Sequence, residues 1–312
     1  MAEMEIVLLG TSSAVPTARR GLSSVALIRD GESFLFDCGE GTQMKMIKAA
    51  FPRRKFHHIF ITHLHGDHIF GLGGLISTLN LGERNIPLTI HGPSGIARYI
   101  RFLVGFPRPT RLGFELHFNE FEPGFEGVVV EGEDWQVRAA PLKHTLPAWG
   151  FRFEEKDLPG RFDASRADEL GVPFGPERGL LQRGESITLS DGRRVDPADL
   201  VGPARRGRAV AYCTDTAPCA GAHALARDVD LLIHEATFGD DLQEMARARL
   251  HSTIREAATV ARNAGAQRFV ATHFSTRYDG PLLDELRVQG ESVYPEMIMA
   301  RDLLRISLPP VP

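Results

Sequence analysis

The sequence predicts an α/β protein in which short strands alternate with helices and one long insertion interrupts the alternation. Three observations lead there. Apolar and β-branched runs of strand length are separated by helix-like segments through the first half of the chain, and the same rhythm resumes after residue 208. Between these stretches, 156–208 loses the rhythm and is rich in glycine and proline, with Pro159-Gly160, Pro173, Gly175-Pro176, Gly179, Gly184 and Gly202-Pro203. Several of the apolar runs lead into histidine or aspartate, and open α/β sheets collect their functional groups at such strand ends.

Taken in order, residues 4–9 are an apolar run stopped by Gly10, hence a strand. Residues 23–28 and 33–37 are two more, on either side of the turn Arg29-Asp30-Gly31, and 40–50 reads as a helix. The nearly continuous apolar run 56–62 predicts a strand buried on both faces. Asp67 opens one helical stretch to about Leu81, 88–91 is a strand, and Ser94 is placed to cap a helix reaching about Val104. Strands follow at 128–130, 135–140 and 150–153, and beyond the insertion at 209–212, 230–234 and 268–272. A helix starts near Ser252 or Thr253, where Thr253 and Glu256 fit a capping box, and the last strands fall within 296–308.

Composition bounds the rest. The chain has 312 residues, enough for one large domain with an insertion. It has no apolar run of the roughly 18 to 20 residues that spans a membrane. The acidic start Met1-Ala2-Glu3-Met4-Glu5 is unlike a secretory signal, so a soluble cytoplasmic protein is expected. Three cysteines, Cys38, Cys213 and Cys219, make no disulfide framework and read as buried thiols. The net charge of −4 weighs against a nucleic-acid partner, since phosphate binding usually leaves a basic footprint, and the insertion balances its acids and bases.

The chemistry concentrates in His63-Leu64-His65-Gly66-Asp67-His68. His63 and His65 are two residues apart just past a strand, so in extended backbone they point the same way. Gly66 permits a sharp turn, Asp67 stands where a helix begins, and His68 follows on its first turn. Neutral imidazole and carboxylate are what Zn²⁺ or a similar ion requires, and three histidines with one aspartate in six residues argue against isolated surface or core histidines. His144, Asp215 and His273 each follow a predicted strand and are the candidates to complete the site, with Asp215 able to bridge two ions. Asp37, in Phe36-Asp37-Cys38-Gly39, reads equally as a turn residue or as a carboxylate orienting metal-bound imidazoles. His234-Glu235 and His251-Ser252-Thr253 form a further pair: an imidazole beside an acid can be tuned as a proton donor, or can serve only in support. His57, His58, His91, His117 and His223 lack that context and read as structural or surface residues.

With those residues in view, the His-x-His-x-Asp-His run followed by His144, Asp215 and His273 resembles the metallo-β-lactamase superfamily over essentially the whole chain, which implies a four-layer αβ/βα sandwich. A narrower resemblance is to the short form of ribonuclease Z, the tRNA 3′-processing endonuclease. It rests on Leu8-Leu9-Gly10-Thr11-Ser12-Ser13-Ala14-Val15-Pro16, Phe36-Asp37-Cys38-Gly39-Glu40-Gly41-Thr42-Gln43, His234-Glu235-Ala236-Thr237, His251-Ser252-Thr253 and the insertion. The resemblance implies one metallo-β-lactamase-fold domain over 1–312, with 152–208 as an inserted flexible arm that protrudes and grips tRNA through Gly171, Pro173, Gly175, Pro176, Gly179 and Leu180. It implies two Zn²⁺ per chain, other ions such as Mn²⁺ remaining open, one held by His63, His65, His144 and Asp215 and the other by Asp67, His68, Asp215 and His273. It further implies a homodimer, precursor tRNA as substrate, Asp67 orienting or deprotonating the attacking water, and a tRNA 3′-hydroxyl and trailer 5′-phosphate as products. His251, aided by Glu235, is the candidate leaving-group acid, and Arg53-Arg54-Lys55 and Arg205-Arg206-Gly207-Arg208 are candidate phosphate contacts. One departure stands out: Thr214 precedes Asp215 where the family usually has glycine. The competing readings are a hydrolase of a small thioester, lactone or phosphodiester on the same fold, and a catalytically silent RNA-binding relative.

Overall fold

The computed structural model describes residues 3–107 and 111–310. Its first sheet is laid down by β1 (Met4–Gly10), β2 (Ser24–Arg29), β3 (Glu32–Phe36), β4 (Lys55–Phe60), β5 (Leu88–Pro93) and β6 (Leu116–Phe121). The second begins with β7 (Gly127–Glu131), β8 (Trp135–Leu142) and β9 (Ala148–Glu155); the chain then makes a small hairpin, β10 (Ile187–Thr188) and β11 (Arg194–Val195). It returns as β12 (Ala209–Cys213), β13 (Leu231–Glu235), β14 (Phe269–Thr272) and β15 (Ile298–Met299), and β16 (Leu304–Leu308) rejoins the first sheet beside β1. The sheet orders are β16-β1-β2-β3-β4-β5-β6 and β15-β14-β13-β12-β9-β8-β7. The runs β3 to β6 and β12 to β15 are parallel, which aligns their carboxyl ends.

The helices are α1 (Thr42–Lys48), α2 (Gly66–Ile69), α3 (Leu72–Leu81), α4 (Ile96–Gly105), α5 (Ala164–Leu170), α6 (Pro176–Gln182), α7 (Ala220–Ala226), α8 (Gln243–Arg249), α9 (Ile254–Asn263) and α10 (Pro281–Glu291). Phe34, Phe36 and Phe60 of the first sheet meet Trp135, Phe151 and Phe153 of the second in one core, and α7 and α9 pack on that sheet's other face. A separate core lies between the first sheet and α1, α3 and α4. The result is a four-layer αβ/βα sandwich, as the resemblance implies, helices outside and two sheets within.

Three local expectations are corrected. The apolar stretch from Asp67 to Leu81 is two helices, because the Gly71 amide donates to Cys38 O at 2.9 Å and a Cβ there would lie 2.2 Å from Gly39 O. Ser94 does not cap α4: its hydroxyl donates to Glu122, while the Glu120 carboxylate accepts from the Gly95 and Ala97 amides and caps the helix from across the sheet. Of the three cysteines only Cys38 and Cys213 are buried; Cys219 is half-buried. The capping box at Thr253 is present, with both reciprocal bonds to Glu256.

Strand β6 escapes sequence reading because Glu120 breaks the alternation begun by Leu116-His117-Phe118-Asn119 and only Phe121 is fully buried. Its Asn119 amide contacts His91, whose ring lies 3.1 Å from that of His58. Burial pushes His58 down to about 4 and His91 down to about 3, so this enclosed pair is neutral at pH 7.

Residues of the insertion form a second compact unit, Glu155–Arg208. It is more regular than its composition implies. Asp163 caps α5 by accepting from the Arg166 amide, Gly171 at φ +75° ends that helix, and Pro176 starts α6. Ala167, Val172, Leu181, Ile187, Leu189, Val195 and Leu200 make its own small core. Arg208, a candidate phosphate contact, is instead buried with its guanidinium against the Glu155 carboxylate.

Candidate metal centre

The site sits beyond the carboxyl ends of the parallel strands. After β4 the chain stays extended through Thr62, so His63 and His65 face one point with His63 Nε2 2.9 Å from His65 Nδ1. His144 follows β8 and brings its Nε2 to 3.2 Å from the same His65 nitrogen. Asp215, two residues past β12, divides its carboxylate. Oδ2 lies 3.5 Å from His63 Nε2 and 3.7 Å from His144 Nε2, while Oδ1 lies 3.3 Å from His68 Nε2 and 3.0 Å from His273 Nε2. Asp67 Oδ2 stands 3.5 Å from His68 Nε2 and 3.6 Å from His273 Nε2. The seven side chains singled out as metal ligands therefore converge as two adjoining sets that meet at Asp215.

In four of the five rings the opposite nitrogen is tied back. His68 Nδ1 is 2.8 Å from Asp37 Oδ2. The Thr62 hydroxyl donates to Asp37 and so accepts from His63 Nδ1 at 3.0 Å. The Thr237 hydroxyl donates to Glu235 and accepts from His273 Nδ1 at 3.0 Å, and His144 Nδ1 donates to Leu250 O at 3.3 Å. These bonds fix the ring orientations so that four Nε2 atoms point inward. Asp37 is wholly buried and also takes a hydrogen bond from Tyr212, so it acts as the common anchor beneath the cluster.

Electrostatics asks for positive charge at this point. Burial would raise the Asp215 carboxyl, but His273, His68 and His63 hold it well below the usual range. Burial likewise opposes ionisation of Asp67, yet His68 and His273 keep it far below an ordinary carboxylate. Burial would depress His273, and Asp215 instead lifts it to about 10; His68 is raised well above its ordinary value against the same burial cost by Asp215, Asp37 and Asp67. His63, by contrast, is driven well below its ordinary value by burial and by the neighbouring His68.

The donors fit a divalent cation. His68 Nε2 and His273 Nε2 are buried without a hydrogen-bond partner. Four donors about 2.0–2.1 Å from a tetrahedral ion stand about 3.3 Å apart, close to the separations within both sets.

Five residues around the cluster adopt left-handed backbone without being glycine: Ala14, Asp37, Asp215, Leu250 and His273, with φ between 53° and 61°. Such strain gathers where side chains must be aimed sharply off strand ends. Ala14 in this conformation donates its amide to Asp67 Oδ2 at 2.8 Å. The Thr214 hydroxyl donates to Asp215 Oδ1 at 3.0 Å, and Asp215 stays among the inward-facing donors. Gly39 makes room on the other side: a Cβ there would lie 2.4 Å from Asp67 O.

His251 Nδ1 is 2.7 Å from Glu235 Oε1, and its ring lies 5.1 Å from His144 and 5.8 Å from His273. Burial opposes charge on His251, but Glu235 raises its pKa above the ordinary value. His234 points elsewhere, its Nδ1 bonded to the Glu235 carbonyl. Sequence reading missed Thr62, Tyr212, Thr237 and Ala14. Ala14 and Thr237 lay inside motifs quoted for the resemblance but carried no assigned role, and Thr62 stood next to His63.

Comparison with known proteins places these features. Residues 183–274 match the Beta-lactamase superfamily domain and residues 4–93 match the Anti-Pycsar protein Apyc1 family. The chain is 45% identical over 311 residues to the ribonuclease Z of Picosynechococcus sp., covering 98% of this chain and 97% of that protein. It is 46% identical over 310 residues to the ribonuclease Z of Salinibacter ruber, covering 99% and 95%. Among solved structures, human short-form tRNase Z superposes with a TM-score of 0.69 at 28% identity, covering 98% of this chain and 99% of that one. A metallo-beta-lactamase fold protein from Bacillus subtilis, 18% identical, shares the fold with a TM-score of 0.69 over 98% and 100% of the two chains.

Proposed function

The chain belongs to the ribonuclease Z family, and from that premise we propose that it is a metal-dependent endoribonuclease that removes the 3′ trailer from precursor tRNA. The observation that carries the catalytic half is the pair of donor sets joined at Asp215. His63, His65, His144 and Asp215 would hold one ion, and Asp67, His68, Asp215 and His273 the other; zinc suits the imidazole-rich donors. Two such ions would lower the pKa of a water and offset charge on the phosphoryl oxygens.

The chain's own groups then divide the work. Asp67, oriented by the Ala14 amide, aligns the water and takes its proton as oxygen attacks the phosphorus. The bond from phosphorus to the 3′-oxygen of the retained tRNA breaks. His251, its pKa raised by Glu235, gives that oxygen its proton. The products are a tRNA 3′-hydroxyl and a trailer 5′-phosphate.

The unit Glu155–Arg208 is proposed as the tRNA-gripping arm. Gly171, Pro173, Gly175 and Pro176 shape its turn between α5 and α6, while Gly179 and Leu180 lie within α6 and Leu180 packs on the unit's own core. Phe174, 94% exposed, stands at that turn over the Arg178 guanidinium, which Asp168 and the Pro173 and Val172 carbonyls hold in place. An exposed aromatic with one face backed by a cation suits stacking on a nucleobase. Phe174→Ala should raise KM for precursor tRNA about tenfold and leave turnover of bis(p-nitrophenyl) phosphate unchanged; equal loss on both substrates would remove the exosite role.

A homodimer is proposed on the family resemblance. Exposed Met44 and Ile47 on α1, exposed Leu81 at the end of α3 and the groove of about 160 Å³ between these helices support it. No helix among the described residues is long and apolar enough to cross a membrane, and a cytoplasmic location is proposed with the tRNA-processing role.

The deciding experiment incubates the protein with end-labelled precursor tRNA, with and without a chelator, and maps the cut and its end groups. A single chelator-sensitive cut leaving a tRNA 3′-hydroxyl is expected. An intact precursor beside a rapidly hydrolysed thioester or lactone would overturn the reading.

A further inference from the structure

Residues adjoining the metal ligands in sequence help to wall an apolar slot of about 110 Å³, lined by Leu64, Pro93, Phe121, Leu146, Pro147 and Trp149 among others. Its walls are continuous with the site in the chain itself: Leu64 stands between His63 and His65, and Leu146 and Pro147 follow His144. It is rigid. The Trp149 amide donates to Thr62 O at 3.0 Å, its indole N–H donates to Phe125 O at 2.8 Å, and its ring stands edge-on to Phe121, which stacks on Phe125. Yet Leu146 at its mouth is 37% exposed, an apolar side chain left in water next to a cluster of polar ligands.

We propose that this slot receives the base of the last retained nucleotide, the one whose 3′-oxygen is released. The inference rests on the tRNA reading above and adds to it where one substrate group lies. Size and polarity select a single planar ring. The one hydroxyl in the lining, Ser94 Oγ, donates to Glu122, and Glu120 binds the neighbouring amides, so the rim is acidic and disfavours a phosphate. Direction follows from the in-line geometry of phosphoryl displacement, in which attacking and leaving oxygens stand on opposite sides of phosphorus. Asp67, on the water's side, belongs to the donor set of His68 and His273. His251, the proposed leaving-group acid, has its ring 5.1 Å from His144, the ligand whose following residues build the slot, and 5.8 Å from His273. The retained nucleoside, joined to the leaving oxygen, therefore meets Leu146 and Trp149.

The test uses three precursor tRNAs, one intact, one abasic at the last retained nucleotide and one abasic at the first trailer nucleotide, with the wild-type protein and Leu146→Trp. Leu146 lies at the mouth, so tryptophan there fills the slot from outside the core; metal content and melting temperature verify that the variant is otherwise intact. With wild type, kcat/KM should fall about tenfold on the precursor abasic at the retained position, the scale of one base stack, and stay near normal on the other abasic precursor. Leu146→Trp should lose a similar factor on the intact precursor and nothing further on the one lacking the retained base. Equal cleavage of all three precursors, a loss confined to the trailer position, or independent losses that multiply would each overturn the slot assignment while leaving trailer removal intact. No cleavage of the intact precursor would instead remove the tRNA reading, and the slot with it.

Discussion

Replacing Asp67 by alanine should lower single-turnover trailer cleavage by at least about a thousandfold, while precursor tRNA still binds nearly as well as to wild type. The asymmetry follows from where Asp67 lies. Its Oδ2 faces His68, His273 and the Ala14 amide together. Alanine leaves the Ala14 N–H aimed at an empty position and strips one donor set of its own acid. The other set, His63, His65, His144 and Asp215, keeps every member. Binding of a large polyanion draws on phosphate and stacking contacts spread over a wide surface, and none of these involves Asp67. Single-turnover cleavage and filter binding on the same protein separate the two effects. Near-normal turnover in Asp67→Ala would sink the assignment of Asp67 to the water. Loss of tRNA binding in step with cleavage would show that the site, and not the arm, dominates affinity.

How much of this was legible before folding differs by kind of interaction. The run His63 to His68 was legible because its geometry is local: alternation along an extended segment, a glycine turn and the first turn of a helix set four side chains with no help from distant chain. His144, Asp215 and His273 were legible as a class, since each follows an apolar strand, but their meeting depends on sheet order. That order, and the packing of the first sheet with β4 against the second with β8, β12 and β14, brings their ends together. Of the bonds that aim the imidazoles, the sequence offered Asp37 as one of two readings and left the rest unseen. Asp37, Thr62 and Tyr212 come from three strands or strand ends, and any one of them reads alone as an ordinary turn, strand or core residue. Nor was the left-handed backbone at Ala14, Asp37, Asp215, Leu250 and His273 visible, because glycine usually announces that conformation and none of these is glycine. The two capping motifs make the same point. Thr253 and Glu256 cap α9 within four residues and were read correctly. Ser94 was read as a cap by the same rule, but Glu120 reaches the helix from the neighbouring strand and displaces it.

Asp215→Asn is expected to have the other large effect, and of a different kind: it should empty the site as well as silence it. Asp215 is 3% exposed, and each of its oxygens serves a different pair of imidazoles. Asparagine tolerates the left-handed backbone at φ 53° and preserves the side chain's shape, so the turn after β12 survives. The substitution removes the shared negative charge and turns one oxygen into an N–H₂ donor. Whichever way the amide is flipped, one of the two sets then faces a group that cannot ligate a cation. Metal content measured by mass spectrometry should fall from about two equivalents to below one, with cleavage lost in parallel. Asp67→Ala, by contrast, should retain at least the ion of the untouched set. If the two variants lose metal to the same extent, the division of ligands into two sets joined at Asp215 is wrong. If Asp215→Asn keeps both ions, the carboxylate does not join them, and the inward-pointing imidazoles with Asp67 must hold the ions without it.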